Sequence, residues 1–257
     1  MGNRIGSTLA RISGGAMIGG AIALAQPSPA FTPLQQLIIT GDCVGCDLQG
    51  QVLSNLELPA ANLDRANLQA ADLRATSLTR ATLRQAILDG ANATGATLSQ
   101  VDATELSAQG TDFTDATLTK GNFDQGDLQS AILHDIYALE ATFQGTDLTG
   151  ADLSAASLIR AVLGDAVLVD ADLRDTDLYL ANLLRADLTG ANLQGADLTQ
   201  ARLLRANLTG ANLTDAVLRD ADLRRATLDG TIFCRTTMPD GSQNDADCLD
   251  APQADGA

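Results

Sequence analysis

Residues 186–213 read ADLTGANLQGADLTQARLLRANLTGANL, with Leu at 188, 193, 198, 203, 208 and 213. A five-residue step on an α-helix advances about 140° beyond a full turn, so these leucines would spiral around the helix and face no single core. On a strand, side chains alternate between faces, so an odd step reverses the face each time. Neither regular element accommodates the pattern. A chain that turns a corner every five residues does, because the central residue of each pentapeptide then always points inward.

The register extends far beyond the quoted stretch. Central positions run every fifth residue from 48 to 233, 38 in all, with Leu at 30, Phe at 113, 123, 143 and 233, and Ala at 93, 103, 108 and 138. Two residues before the centre, Ala occupies 25 of the 38 positions. The intervening residue is mostly Asp, Asn, Ser or Thr, which suits an outward side chain. The last of the five is often Gly, as at 90, 110, 150 and 190, which suits a turn.

This A-(D/N)-L-x-x pattern, seen in ANLDRANLQAADL (61–73) and ADLTGANLQGADL (186–198), resembles the pentapeptide-repeat family over about 190 of 257 residues. The resemblance implies an all-β fold: a right-handed, quadrilateral parallel β-helix with four pentapeptides per coil and about 9–10 coils. At roughly 4.8 Å between neighbouring strands, such a rod is about 45 Å long. Residues 20 apart would then stack, and the departures from Leu test this. Val101, Leu106 and Ile136 precede the small centres Ala103, Ala108 and Ala138, whereas Gly121 precedes Phe123. Phe113 would lie over Ala93 and Phe123 over Ala103. Volume is exchanged rather than lost, as a close-packed interior requires.

A solenoid needs caps over its open ends. The expected divisions are a secretory leader at 1–30, an N-terminal cap with a CxxC at 31–46, the repeats at 47–234, and a C-terminal cap with a polar tail at 235–257. PLQQLII within 31–46 reads as a short helix. FCRTTMPDGS (233–242) resembles the ending of exported members of the family. The four cysteines are Cys43, Cys46, Cys234 and Cys248. If the rod has the length that the resemblance implies, a disulfide between its ends is out of reach, so Cys43 pairs with Cys46 and Cys234 with Cys248. A redox role for CVGC would need the helix N-terminus of an α/β fold.

The leader reading rests on Arg4 and Arg11, the short apolar run ISGGAMIGGAIALA (12–25), and the small-residue sites ALA (23–25) and SPA (28–30). It places the mature protein in the periplasm or thylakoid lumen, with no stable membrane anchor after cleavage. Asp+Glu is 32 against Lys+Arg 16, a net charge of −16, which becomes −18 without the two arginines. That balance excludes direct nucleic-acid binding through phosphates. Aromatics are 3% of the chain and Trp is absent, so the core is Leu and Ala.

Catalytic chemistry is hard to assemble. His134 is the single histidine and falls on an outward position. No glycine-rich loop precedes a helix, and no cofactor is expected. Asp127 with Asp147, Asp152 with Asp172, and Asp177 with Asp197 would stack; such pairs suit Ca²⁺, but on an open wall they read as a solvated acidic face. The outward residues Leu139, Ile159, Tyr179, Leu180, Leu184 and Leu204 instead predict an apolar protein-binding strip, covered by a protein partner or by a second copy. The reading is a non-enzymatic exported rod that binds or scaffolds proteins. The alternative, implied by the resemblance, is a cytoplasmic acidic mimic of DNA that binds a type II topoisomerase such as gyrase.

Overall fold

The structure, a computed structural model, describes residues 31–248. The expected leader at 1–30 and the last nine residues of the expected tail lie outside the described residues.

One pentapeptide, Ala186–Gly190, shows why the motif folds as it does. The amide of Leu188 donates forward to Asn207 O at 2.7 Å, and that of Asp187 donates backward to Ala166 O at 2.9 Å. The Gly190 amide donates to Thr209 O at 2.9 Å. The Ala191 amide closes a turn on Leu188 O at 3.0 Å, as Ala186 does on Leu183 O. The remaining amide, Thr189 N, donates to the Asp187 carboxylate at 3.1 Å. Every N–H is satisfied, which a buried-walled coil requires. The Asp or Asn of the motif is therefore a turn cap as well as a polar outward residue; Asn92, Asp147, Asn207 and Asp222 act in the same way.

The same bonds repeat along the chain. Parallel bridges join residues 20 apart at every fifth position, from Asp42↔Asn62 to Val217↔Thr237. Each coil is therefore four pentapeptides, and each bonds only to the coil before and the coil after it. The sides are so short that each contributes a single bridging residue. Among the described residues, extended strands of two residues or more are confined to the C-terminal end. The coil begins at Asp42, earlier than the expected 47, because Cys43 replaces the central Leu and is fully buried there. It ends at Thr237, a little beyond 234.

The fifth residue of each pentapeptide has a positive φ, whether it is Gly190 at 68° or Arg185 at 58°. A positive φ at the third residue of a hydrogen-bonded turn is the type II signature and favours Gly. Residues other than Gly, mostly Arg, Asp, Gln and Ala, hold this conformation at 28 positions, although it costs an isolated residue about 1 kcal/mol or more. The ladder on both sides over-determines it.

Inside, the central and first positions form one continuous core from Leu37 to Ala221. Where Thr replaces Ala at the first position, the hydroxyl is buried but bonded: Thr76, Thr111, Thr146, Thr176, Thr231 and Thr236 each donate to the carbonyl of the residue 23 earlier, at 2.7–2.9 Å. The volume exchange is visible too. The rings of Phe123 and Phe143 stack at 5.2 Å, and Gly121 leaves room for them: a Cβ there would stand 2.7 Å from Phe123 Cε2.

Both ends are closed. Helix α1 (Pro33–Thr40) starts at Thr32, whose side chain accepts from Gln35 N while the Gln35 side chain accepts from Thr32 N. It stops at Gly41, whose left-handed φ of 71° lets its N–H reach Leu37 O. Leu37 is fully buried on the first coil. At the other end, β1 (Thr236–Thr237) pairs antiparallel with β2 (Gln243–Asn244). Cys43 is joined to Cys46 with Cα atoms 5.2 Å apart, and Cys234 to Cys248 at 4.7 Å.

Candidate functional site

With the interior filled, chemistry is left to the walls. Four pentapeptides per coil define four sides, and the ladder fixes which residues share one. Glu140 N bonds to Ile159 O and Arg160 N to Tyr179 O, so Leu139, Ile159 and Tyr179 form one column, with Leu180 beside its last member. Leu184 and Leu204 stack on each other through Arg185 N and Leu204 O, but in the turn one side further along. The six residues thus form two columns at successive turns. Leu139 is 38% exposed and the other five are half-buried.

The most exposed apolar side chain of the first column's wall is one that sequence reasoning passed over. Tyr137, 62% exposed, lies on the same pentapeptide as Leu139. It occupies the position between the two inward residues, where the motif places Asp or Asn, and that departure was the available signal. Ile132 stands exposed on the preceding side. The patch is rimmed by a ladder of charges: Glu140 lies 3.5 Å from Lys120 and 3.6 Å from Arg160. Long charged side chains flanking an apolar centre are the common anatomy of an interface.

The stacked Asp pairs are real neighbours, since Asp127↔Asp147, Asp152↔Asp172 and Asp177↔Asp197 are bridged. Their oxygens are engaged locally. Gln109 donates to Asp127, Gln129 to Asp147, Ser154 to Asp152 and Arg174 to Asp172. Among the described residues, no group of three His, Cys, Asp or Glu side chains is placed to hold a metal. Where Arg lies two residues on, the carboxylate is held down: Arg74 hydrogen bonds lower Asp72 to about 2, and Arg224 does the same for Asp222.

His134 meets Ser154, its Nδ1 standing 2.9 Å from the hydroxyl, while Nε2 lies 3.0 Å from Asp135. This is not a nucleophile and base. The Ser154 hydroxyl donates to Asp152 rather than to the imidazole, and the cluster lies on an open wall. The surface depressions lie elsewhere. One of about 270 Å³ is bounded by Asp64, Arg84 and Glu105; another of about 540 Å³, by Ile232, Arg235 and Asp247, lies against the Cys234–Cys248 disulfide.

Comparisons with known proteins agree with this architecture. A family model described as pentapeptide repeats matches in eight copies, over residues 42–80, 66–102, 98–135, 140–175, 166–203 and 201–238. Among solved structures, HetL, a pentapeptide repeat protein involved in heterocyst differentiation regulation from the cyanobacterium Nostoc sp. strain PCC 7120, is 33% identical. That match covers 79% of this chain and 92% of HetL, with a TM-score of 0.37. A thylakoid-lumen pentapeptide repeat protein of Arabidopsis thaliana is 35% identical over 40% of this chain and 71% of its own, with a TM-score of 0.37. QnrB1, a plasmid-mediated fluoroquinolone resistance protein, is 19% identical over 70% of this chain and 92% of its own, with a TM-score of 0.51; at that identity it speaks to the fold alone. No curated protein sequence matches.

Proposed function

The chain belongs to the pentapeptide-repeat family, and we propose that this member is an exported, non-catalytic rod of right-handed coil that binds another protein through one wall. The observation that carries the reading is the apolar patch of Tyr137, Leu139, Ile159, Tyr179 and Leu180, which groups one exposed aromatic with four apolar neighbours on one wall. A wall built on ladder hydrogen bonds loses little entropy on binding, and Tyr is enriched among residues that dominate interface energies. Export is supported by the sequence of 1–30 and by two disulfides that use all four cysteines, an economy suited to an oxidising compartment. Residues 31–41 and 238–248 act as lids on the coil.

The test is the variant Tyr137→Ser, Leu139→Ser, Tyr179→Ser. None of these side chains fills the core, so the coil should melt as the native one does, and capture of partners from the periplasm or thylakoid lumen should be lost. Retention of every partner would refute the patch. Recovery of an intact Met1 in the cytosol would refute export. It would favour the second reading, a cytoplasmic mimic of DNA directed at a type II topoisomerase, to which the chain's net charge of −16 lends support.

A further inference from the structure

We propose that Asp229–Gly230 is a modification site at which the folded rod ages: the aspartate isomerises to isoaspartate, with solvent water as the only co-reactant. The site follows from where the coil ends.

The described residues contain three Asp–Gly pairs, at 89–90, 229–230 and 240–241; a fourth, 255–256, lies outside them. Glycine has no side chain to shield its nitrogen, so that nitrogen approaches the preceding carboxyl with little steric resistance. Gly230 N attacks Asp229 Cγ, and the amide proton and the carboxyl hydroxyl leave together as water. A five-membered succinimide remains. Water then adds to one of its two carbonyls. Opening at Cγ regenerates aspartate, and opening at the main-chain carbonyl gives isoaspartate.

Two of the three pairs are locked against this step. The Gly90 amide donates to Gln109 O at 2.9 Å, and the Asp89 carbonyl accepts from Ala70 N at 3.0 Å. The Asp89 carboxylate accepts from Ser107 Oγ at 2.7 Å and from Gln109 N at 3.0 Å. Ring closure at 89 therefore breaks bonds to the coil on either side. In the C-terminal hairpin, Gly241 N donates to Met238 O at 2.9 Å. Asp240 accepts from Ser242 Oγ at 2.5 Å and from Ser242 N at 2.9 Å. These bonds hold the Asp240 carboxyl below the usual carboxylate range, and an ionised carboxylate has no hydroxyl to lose.

Asp229–Gly230 occupies the same turn as Asp89–Gly90 on the same side of the rod, 140 residues later. Its ladder is one-sided. The bridges end at Thr237, and Thr227, the bridging residue of this pentapeptide, pairs only backward with Asn207. Gly210 N reaches Asp229 O at 2.9 Å. Among the described residues, the Gly230 amide has no acceptor and the Asp229 carboxylate has no donor. Both residues are exposed, and Gly230 borders the depression beside the Cys234–Cys248 disulfide. Isomerisation routes the main chain through the former side chain, which adds a methylene to the turn and takes the Gly210 amide's acceptor out of the ladder.

The test is to incubate the full chain near neutral pH, folded and denatured in parallel, and to map isoaspartate with time. After reduction, trypsin leaves the pairs on separate peptides, 85–120, 226–235 and 236–257. Electron-transfer fragmentation tells isoaspartate from aspartate and locates it. Dividing each folded rate by its denatured rate removes the influence of flanking sequence. That ratio should be about tenfold or more higher at 229 than at 89 or 240, because opening at 229 breaks fewer hydrogen bonds. Gly230→Ala should slow the reaction at 229 by about tenfold or more; Ala70 and Ala155 already hold the same left-handed turn, and a thermal melt checks that the variant folds. Amide hydrogen exchange on the unaltered protein is the second measurement, and Gly230 should exchange about tenfold or more faster than Gly90. Equal ratios at the three pairs, no product at 229, or undiminished product in a folded Gly230→Ala variant would overturn the proposal. Gly90 exchanging as fast as Gly230 would overturn it whether or not that variant folds.

Discussion

Between residues 101 and 143 the interior is a patchwork; between 181 and 218 it is uniform. The later coils use Ala at every first position and Leu at every centre. The middle coils place Val, Leu, Thr, Gly or Ile at six of nine first positions, and Ala or Phe at six of nine centres. Yet both regions are equally dry: Ala103, Phe113, Phe123 and Ala138 are as fully buried as Leu193 and Leu203. The fold demands a constant filling volume per coil and an apolar surface, and is indifferent to which position supplies the volume.

The comparison breaks most severely if polarity enters the uniform region. Leu193→Asp puts a carboxylate into a core without a cation, at a cost of several kcal/mol, and should abolish the cooperative melt. Thr189→Asp, outward in the same register, should change stability by under about 0.5 kcal/mol. Similar melts for the two would refute the register.

Adding volume should discriminate between the regions. Gly121→Ala pushes a methyl into Phe123 and should destabilise by about 1–3 kcal/mol. Combining it with Phe123→Leu should recover part of that loss, which denaturant titration of the single and double variants would measure. No recovery would mean that the backbone, through Leu118 O at 3.0 Å from the new Cβ, sets the limit rather than the ring.

Smaller still is the loss of a bonded hydroxyl. Thr111→Val in the patchwork and Thr176→Val beyond it each leave one carbonyl, Leu88 O or Leu153 O, without its side-chain donor. Each should cost about 1 kcal/mol, and equal costs would show that the patchwork keeps the backbone geometry of the coils that follow it.

The smallest effect belongs to pH. Asp72 and Asp222 have folded-state pKa values lowered to about 2 by their arginines, against an unfolded value near 4. Their contribution is present above about pH 4 and fades as pH falls towards 2. Both carboxylates are exposed to solvent screening, so Arg74→Ala with Arg224→Ala should flatten only slightly the acid limb of stability against pH.

The period of five, the inward positions and the compensation at Gly121 and Phe123 were legible because a sequence period survives any choice of side chain. The coil's true start was not, because Cys43 stands where Leu belongs. Nor was the second duty of Asp and Asn, since a hydrogen bond to Thr189 N is invisible until the turn is built. The left-handed conformation could be inferred at Gly190 but not at Arg185, where the ladder rather than the residue imposes it. Tyr137 was missed because its position is usually polar, and because its neighbours on the wall lie 20 residues away along the chain.

That spacing has a mechanical consequence. Each coil is fastened only to its two neighbours, so a force applied to the two ends of the chain has no distant cross-link to break. The rod would peel from an end, one coil at a time, and each event would release 20 residues, or about 70 Å of extended chain. The disulfides at Cys43–Cys46 and Cys234–Cys248 enclose only 3 and 14 residues of separation, so they would shorten the first and last steps and leave the rest equal. Under tension the molecule is a measuring tape with evenly spaced marks.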